Sequence, residues 1–333
     1  MYKEADAIRN VLDGAKAIVI VSADNPDTDS LASSLALEQI LGDLGKDVVL
    51  YCGVDLPGYL MNLPGADRVV RELPNLFDAV IIVDTASRSL LAKLEQGGML
   101  SRLAAHPTII IDHHATEATI DFAKVALHPQ AVASGEVIYE LADQLNWPIN
   151  HQAKRFLAMA ILSDSQGLSS ESTTARSIHI IAELVEGGVS LAELEDARRA
   201  SLRRDPELIH YKGRLLQRVE FYHDGRLALL TIPWEEIEKY SPLYNPPMLV
   251  LDDMRLAKDC QIAVVFKLYH DGKITAKIRT NYGYGVADKL AEHFGGGGHP
   301  YAAGFKLTDS RDYETVKNEV IAKSAELLDS SQE

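Results

Sequence analysis

The sequence predicts an α/β protein: an N-terminal doubly wound, mainly parallel sheet, a smaller C-terminal α/β domain, and a cleft between the two. Three observations lead there. Over the first 112 residues, short runs rich in Val, Ile and Leu alternate with helical patterns, as strands buried on both faces of a parallel sheet do. From residue 134 to 200 the pattern turns helical. Beyond residue 216, two β-rich segments each place Asp-Gly between apolar runs, and Asp-Gly suits the positive φ angles of a tight hairpin.

The elements follow in order. Residues 16–21, K-A-I-V-I-V, read as a buried strand and residues 29–44 as a helix. K-D-V-V-L-Y-C (46–52), D-A-V-I-I-V-D (78–84) and T-I-I-I-D (108–112) are further strands. S-G-E-V-I-Y-E-L-A-D-Q-L, A-K-R-F-L-A-M-A-I-L and T-A-R-S-I-H-I-I-A-E-L-V supply the helices that follow. The charged stretch L-A-E-L-E-D-A-R-R-A-S-L-R-R-D-P reads as a solvated, mostly helical connector. The expected divisions are therefore a first domain over 1–190, a connector over 191–215 and a second domain over 216–333. In the last, hairpins are expected over 218–232 and 262–279, with a short helix before the second. A helix (286–294), a glycine run, a short strand and a C-terminal helix (311–329) complete it.

Composition narrows the functional classes. An apolar fraction of 47% and a charged fraction of 24% over 333 residues describe an ordinary globular chain with room for two cores. No apolar run approaches the ~18 residues of a membrane span, and the N-terminus carries no signal-peptide segment. Cys52 and Cys260 give neither a disulfide framework nor a cysteine zinc site, and the cytoplasm is the expected location. Net charge is −15, from 33 basic against 48 acidic residues. No basic stripe is visible along the chain, which argues against a protein that tracks long nucleic acid. A small nucleotide in a local pocket is compatible with this balance, above all if metal ions offset some carboxylates.

The carboxylates cluster at strand ends. Asp27 and Asp29 follow the first strand, Asp84 ends another, and Asp112 ends the next, with His113 and His114 directly after it. Asp164 closes the apolar helix A-M-A-I-L-S. Open parallel sheets bind ligands beyond the carboxyl ends of their strands, so these groups would converge on one crevice. Each has a plainer reading. Asp29 as helix N-cap and Asp27 as part of an Asn-Pro-Asp turn explain the first segment on its own, and Asp84 reads equally as a turn residue. Asp112, His113 and His114 resist this, because three polar groups directly after T-I-I-I have no packing role. As a set, unpaired carboxylates with little Lys or Arg beside them call for one or two divalent cations.

N-P-D-T-D, V-D-T-A, D-H-H and S-D-S-Q-G, in this order and spacing, resemble the four motifs of the DHH phosphoesterase superfamily. G-G-G-G-H-P-Y-A-A-G resembles the signature of its associated DHHA1 domain. The resemblance spans nearly the whole chain, and the size matches the nanoRNase and pAp-phosphatase branch better than the longer RecJ exonucleases. It implies two Mn²⁺ ions bridged by Asp84, the first also bound by Asp27 and the second by Asp29, His113 and Asp164. It further implies that His114 faces the substrate phosphate and that Asp112 orients a neighbouring histidine. Oxygen and imidazole donors without thiolate suit manganese. Two departures stand out. The family has histidine four residues before the first aspartate, where this chain has Ala23, so the first metal site is expected to be weakened. The usual Asp-Thr-Gly is Asp164-Ser165-Gln166-Gly167, one residue longer before the glycine.

F-G-G-G-G-H-P-Y-A-A-G-F (294–305) could be a linker, but it lies between a helix pattern and an apolar strand rather than between domains. Ordered glycines mark close backbone approach, and backbone N–H groups in such a loop can cradle phosphate. Gly296, Gly297, Gly298 and His299 are therefore candidate substrate contacts, and Arg279 matches the family's substrate-binding arginine. Tyr282 and Tyr284 read equally as base-stacking or as packing residues. The arginines at 198–204 read as the solvated face of the connector or as phosphate contacts at a domain or dimer cleft, and a homodimer stays open. The resemblance implies a Mn²⁺-dependent phosphoesterase in which a metal-activated water attacks a very short oligonucleotide such as pApA, or 3′-phosphoadenosine 5′-phosphate (pAp). Hydrolysis of cyclic-di-AMP is the enzymatic alternative. A nucleotide-binding protein with a failed first metal site is the non-enzymatic one.

Overall fold

The computed structural model describes residues 1–114, 118–201, 203–309 and 311–330. The chain divides into two compact units, Met1–Arg203 and a second beginning at Arg204. The helical stretch expected as a connector is thereby shared, its first helix going with unit 1 and its second with unit 2.

Unit 1 runs α1 (Ala5–Asp13), β1 (Ala17–Val21), α2 (Thr28–Asp43), β2 (Asp47–Tyr51), β3 (Ala79–Val83), α3 (Ala92–Gln96), α4 (Leu100–Ala104), β4 (Thr108–Ile111), β5 (Val125–Leu127), α5 (Ser134–Leu145), α6 (His151–Asp164), α7 (Ala175–Glu186) and α8 (Leu191–Ser201). Its five strands are all parallel, in the order β2-β1-β3-β4-β5. β3 and β4 are buried along their whole length, which is why they read as unbroken Val/Ile runs. Ile18 and Ile20 of β1 pack with α2, α5 and α6 in one core. Val19 and Val21 face a second, smaller core that includes Leu94 of α3 and Leu103 of α4. Gly135 lets α5 approach α6, since a Cβ there would lie 2.5 Å from the Ala160 Cβ. β5 was not expected: three residues at a sheet edge, only Leu127 of them buried, leave no periodicity to read.

Unit 2 runs α9 (Pro206–Leu216), β6 (Glu220–Tyr222), β7 (Leu227–Ile232), α10 (Trp234–Tyr240), α11 (Leu251–Arg255), β8 (Ile262–Leu268), β9 (Ile274–Thr280), α12 (Ala287–His293), β10 (Gly297–His299), β11 (Ala302–Leu307) and α13 (Tyr313–Ser330). Both Asp-Gly hairpins are present, with His223, Asp224 and Gly225 at positive φ in the first turn and Gly272 in the second. The sheet order is β10-β11-β9-β8-β7-β6, antiparallel except where β7 meets β8. The glycine run is not a loop throughout: Gly297–His299 form the edge strand β10, paired to β11. Helices α12 and α13 cover one face, over Ile274, Ala276, Ile278, Ala303, Phe305 and Leu307. Helices α9, α10 and α11 cover the β7 and β8 side of the other face. Strands β9 and β11 keep an outer face of Thr275, Lys277, Arg279, Ala302, Gly304 and Lys306, all half-buried or exposed.

Candidate metal centre

In unit 1 the strand order reverses direction between β1 and β3, and the crevice beyond the carboxyl ends of strands at such a point is where open α/β sheets bind ligands. The segments leaving β1, β3 and β4 carry the acidic motifs. Asp27 is the N-cap of α2, its carboxylate accepting the Ser30 N–H at 3.0 Å. The plainer reading of Asp29 as the helix cap therefore does not hold. Asp29 lies in the first turn of α2, fully buried, and accepts from Ser33 Oγ (2.8 Å) and from the Ser134 and Gly135 N–H groups at the start of α5 (2.7 and 3.2 Å). The positive end of a helix dipole thus faces this carboxylate. Asp84 follows β3 at φ 62°, a left-handed conformation uncommon outside glycine, and its Oδ1 accepts Ser134 Oγ at 2.9 Å.

His113 is the centre of the cluster. Its Nδ1–H donates to the Ala131 carbonyl at 3.2 Å, which orients the ring so that Nε2 faces the carboxylates. Nε2 lies 3.4 Å from Asp84 Oδ1, 3.5 Å from Asp164 Oδ2 and 3.6 Å from Asp29 Oδ2, and it is buried with no hydrogen-bond partner. Three carboxylates crowded around an imidazole nitrogen that has no hydrogen-bond partner form a donor set that a cation would satisfy, so these residues fit a divalent metal. Asp29, His113 and Asp164 form one group of converging ligand atoms, and Asp84, His113 and His114 another. Asp27 joins neither, although its charge acts on both Asp84 and Asp164.

The electrostatics agree with the geometry. Burial first, then the charges of Asp29 and Asp27, push the Asp164 carboxyl up to about 7, and the same causes raise Asp84 well above the carboxylate range. Asp112 behaves differently. Burial alone would raise it, but hydrogen bonds from the His114 ring (2.7 Å) and the His113 and His114 backbone outweigh that and hold it ionised. The same bond raises His114 against its own desolvation, favouring an imidazolium that presents Nε2–H as a donor.

Three supporting groups were not singled out from sequence. Ser134 joins Asp84 to the turn that also holds Asp29, and only its place at the start of a helix hinted at it. The Ala131 carbonyl is backbone and leaves no trace in residue type. His128, following β5, brings Nε2 to 3.5 Å from Asp112 Oδ2, both atoms otherwise unpartnered. Asp24, the neighbour of Ala23, is turned away: its Oδ2 accepts the Lys93 N–H at 2.7 Å. Ala23 itself is buried, its carbonyl accepting from the Cys52 thiol.

In unit 2, Arg279 on β9 donates to the Ile278 carbonyl and lies across from Ala302. His299 is exposed on β10. Added Cβ atoms at Gly296 and Gly298 would lie 2.3 Å from the Gly304 carbonyl oxygen and 2.5 Å from the Ala303 Cα, so close approach to β11 requires both glycines. At Gly297 the space is open. Tyr282 is exposed and stacks on Tyr301, whereas Tyr284 packs against the core.

Known proteins resemble this chain in sequence and fold. A bifunctional oligoribonuclease and PAP phosphatase NrnA of Thermus thermophilus is 27% identical over 298 residues, 87% of this chain and 84% of its own. The crystal structure of an exopolyphosphatase-related protein of Bacteroides fragilis superposes with a TM-score of 0.83 at 20% identity, over 99% of this chain and 100% of that one. That of RecJ from Thermus thermophilus in complex with Mn²⁺ gives 0.52 at 18% identity, over 97% of this chain and 54% of that one. Residues 17–162 match the N-terminal domain of the DHH family and residues 250–326 the DHHA1 domain. The chain thus carries a DHH-family N-terminal domain followed by a DHHA1 domain.

Proposed function

We propose that this chain is a Mn²⁺-dependent phosphoesterase that hydrolyses very short oligonucleotides and pAp. The observation that carries this reading is His113 Nε2, buried and without a hydrogen-bond partner among Asp29, Asp84 and Asp164. These four residues would hold the tighter ion, and Asp84 with Asp27 a second one. A carboxylate and imidazole donor set without thiolate favours Mn²⁺ over Mg²⁺. When bound, such ions neutralise the carboxylates, activate water and stabilise charge on an attacked phosphate. His114, held by Asp112 with Nε2–H available, would donate to a phosphate oxygen, and Arg279, Gly296, Gly297, Gly298 and His299 would hold further substrate phosphates. The substrate class follows the oligoribonuclease and PAP phosphatase activities of the NrnA relative.

Ala23 favours a second reading, a nucleotide-binding protein whose weaker metal position does not fill. Metal content and turnover of pApA, pAp and cyclic-di-AMP separate the two. Two bound Mn²⁺ with turnover of pApA or pAp, lost in Asp84→Ala, is the expected result. Intact nucleotide binding with no turnover of any of the three at high Mn²⁺ overturns the enzyme. Turnover of cyclic-di-AMP alone would keep the chemistry and replace the substrate.

A further inference from the structure

Asp112 is a buried carboxylate with all its hydrogen-bond donors on one oxygen. Its Oδ1 accepts the His114 Nδ1–H at 2.7 Å and the His113 and His114 backbone N–H groups at 2.8 and 3.2 Å. Its Oδ2 is equally buried and accepts nothing. A buried oxygen of an ionised group is costly to leave without a donor, so such an atom calls for a reason. Facing it at 3.5 Å is His128 Nε2, itself buried without a hydrogen-bond partner.

Sheet register brings the two together. β4 and β5 are parallel, with Ile109 beside Val125, Ile110 beside Ala126 and Ile111 beside Leu127. The next pair in that register is Asp112 and His128, and the Asp112 N–H donates to the Leu127 carbonyl at 3.0 Å. Neighbours in register project from the same face of a sheet. A histidine at a sheet edge could keep both ring nitrogens in water, but this side chain is only 21% exposed and turns Nε2 inward. Two complementary atoms at this separation are one small rotation from a hydrogen bond. Hydrogen bonds of catalytic sites are often long before substrate arrives.

We propose that His128 is a positioning residue whose Nε2–H donates to Asp112 Oδ2. That second donor fixes the plane of the carboxylate, so that Oδ1 holds His114 with its own Nε2–H aimed at the substrate phosphate. The proposal rests on the phosphoesterase reading for what His114 does, but not for the contact itself. With Oδ1 alone engaged, the carboxylate can turn about its Cβ–Cγ bond and the His114 ring can turn with it. A donor on each oxygen removes that freedom. Misdirecting a group that contacts the reacting phosphate lowers the rate more than it lowers ground-state affinity. Among the described residues His128 forms no ion pair with Asp29, Asp84 or Asp164, so metal binding should not depend on it.

The test uses the full chain with His128→Phe, which keeps a ring and removes the donor, and His128→Gln, which keeps an N–H donor close to the Nε2 position. kcat and KM for pApA, and Mn²⁺ affinity by calorimetry, are measured for each, alone and combined with Asp112→Asn. Expected in His128→Phe is an about tenfold loss of kcat with KM and Mn²⁺ affinity unchanged. His128→Gln should recover most of that loss, and adding His128→Phe to Asp112→Asn should cost nothing further. Unchanged kcat in His128→Phe, equal loss in both variants, or losses that add to that of Asp112→Asn overturn the positioning role. The contact is also read without turnover, from the ring resonances of isotopically labelled histidines in EDTA, with the His114 signals assigned through His114→Gln. Those signals should shift in His128→Phe and return in His128→Gln, and signals that stay in place overturn the proposal. Shifted His114 signals in a chain that turns over no substrate would uphold the coupling of His128 to His114 while sinking the phosphoesterase reading.

Discussion

Asp29, Asp84 and Asp164 converge on His113 in unit 1 with no lysine or arginine in ion-pair contact among the described residues. Lys267, Lys277, Arg279 and Lys306 share a groove in unit 2 that no carboxylate lines, although the charge of Asp252 acts on Arg279. Both regions gather like charge against the folding free energy, but they do so in different forms. The acidic group is compact, buried and locked by hydrogen bonds from Ser33, Ser134 and Gly135. That geometry suits a point charge with fixed coordination. The basic group is spread over three strands on long side chains, which suits a flexible ligand with distributed charge. Clusters that oppose folding are expected where function requires them.

The sharpest way to break this comparison is to remove one charge while keeping its shape. Asp164→Asn should cut turnover about a thousandfold, as removal of a key electrostatic group does, and should also weaken Mn²⁺ binding. In EDTA at pH 8 the same variant should melt a few degrees higher than the parent, because a repelling carboxylate has gone. Lower stability together with lower activity would mean that the carboxylates hold the fold rather than oppose it.

pH probes the same repulsion without mutation. The folded-state pKa of Asp164 is about 7 against an ordinary 3.8, and Asp84 is displaced in the same direction. Between these values the unfolded chain has released a proton that the folded chain retains, so metal-free stability falls as pH rises from about 4 to 7. His114 adds the same sign, since the stability from its raised pKa is present below the unfolded value and is lost as pH climbs through the folded one. Metal binding displaces protons, so Mn²⁺ should stabilise more at pH 8 than at pH 5. Melting temperatures at both pH values, with Mn²⁺ and with EDTA, test this. A metal-free melting temperature that stays level or rises would refute it.

How far each region can be read from sequence depends on how local it is. The parallel strands announce themselves as V-I-I-V and T-I-I-I because both faces are buried, and an aspartate after such a run points to a crevice. The convergence of the acidic residues was therefore legible. The Ala131 carbonyl that orients the His113 ring and the Ser134 hydroxyl on Asp84 were not, since many residue types satisfy the same local pattern. The basic groove was invisible for a stronger reason. Lys267 and Lys306 are 39 positions apart in the chain and become neighbours of Thr275 only through the strand order β8-β9-β11. The glycine run misled in the opposite sense. Glycine has low strand propensity, so nothing in G-G-G-H signals an edge strand whose partner must approach closely.

Ala23 sharpens the acidic side. Asp24 is engaged by the Lys93 N–H and cannot take the place of a missing ligand. Ala23→His should lower the Mn²⁺ concentration needed for half-maximal turnover about tenfold and tighten the weaker of two binding events in calorimetry. The imidazole must enter a buried position, so melting temperature is followed in parallel to separate misfolding from failure to bind. An unchanged Mn²⁺ requirement in a well-folded variant would show that the position beside Asp27 is already complete without a side chain from residue 23.

Salt separates the two regions with the smallest perturbation. The acidic cluster is buried and screened little, whereas the lysines of the groove stand in contact with solvent. Raising salt from about 50 to 200 mM should increase KM for a pentanucleotide roughly sevenfold, the change expected for about two phosphate contacts on a single strand. Turnover at saturation should stay constant, because the carboxylates and His113 are unaffected. With pAp, KM should move less, since fewer phosphates engage the groove. Equal salt dependence for both substrates would place all productive charge contacts at the reacting phosphate and leave the groove without a part in catalysis. A fall in kcat would carry the opposite message, that the acidic cluster is more open to solvent than its burial implies.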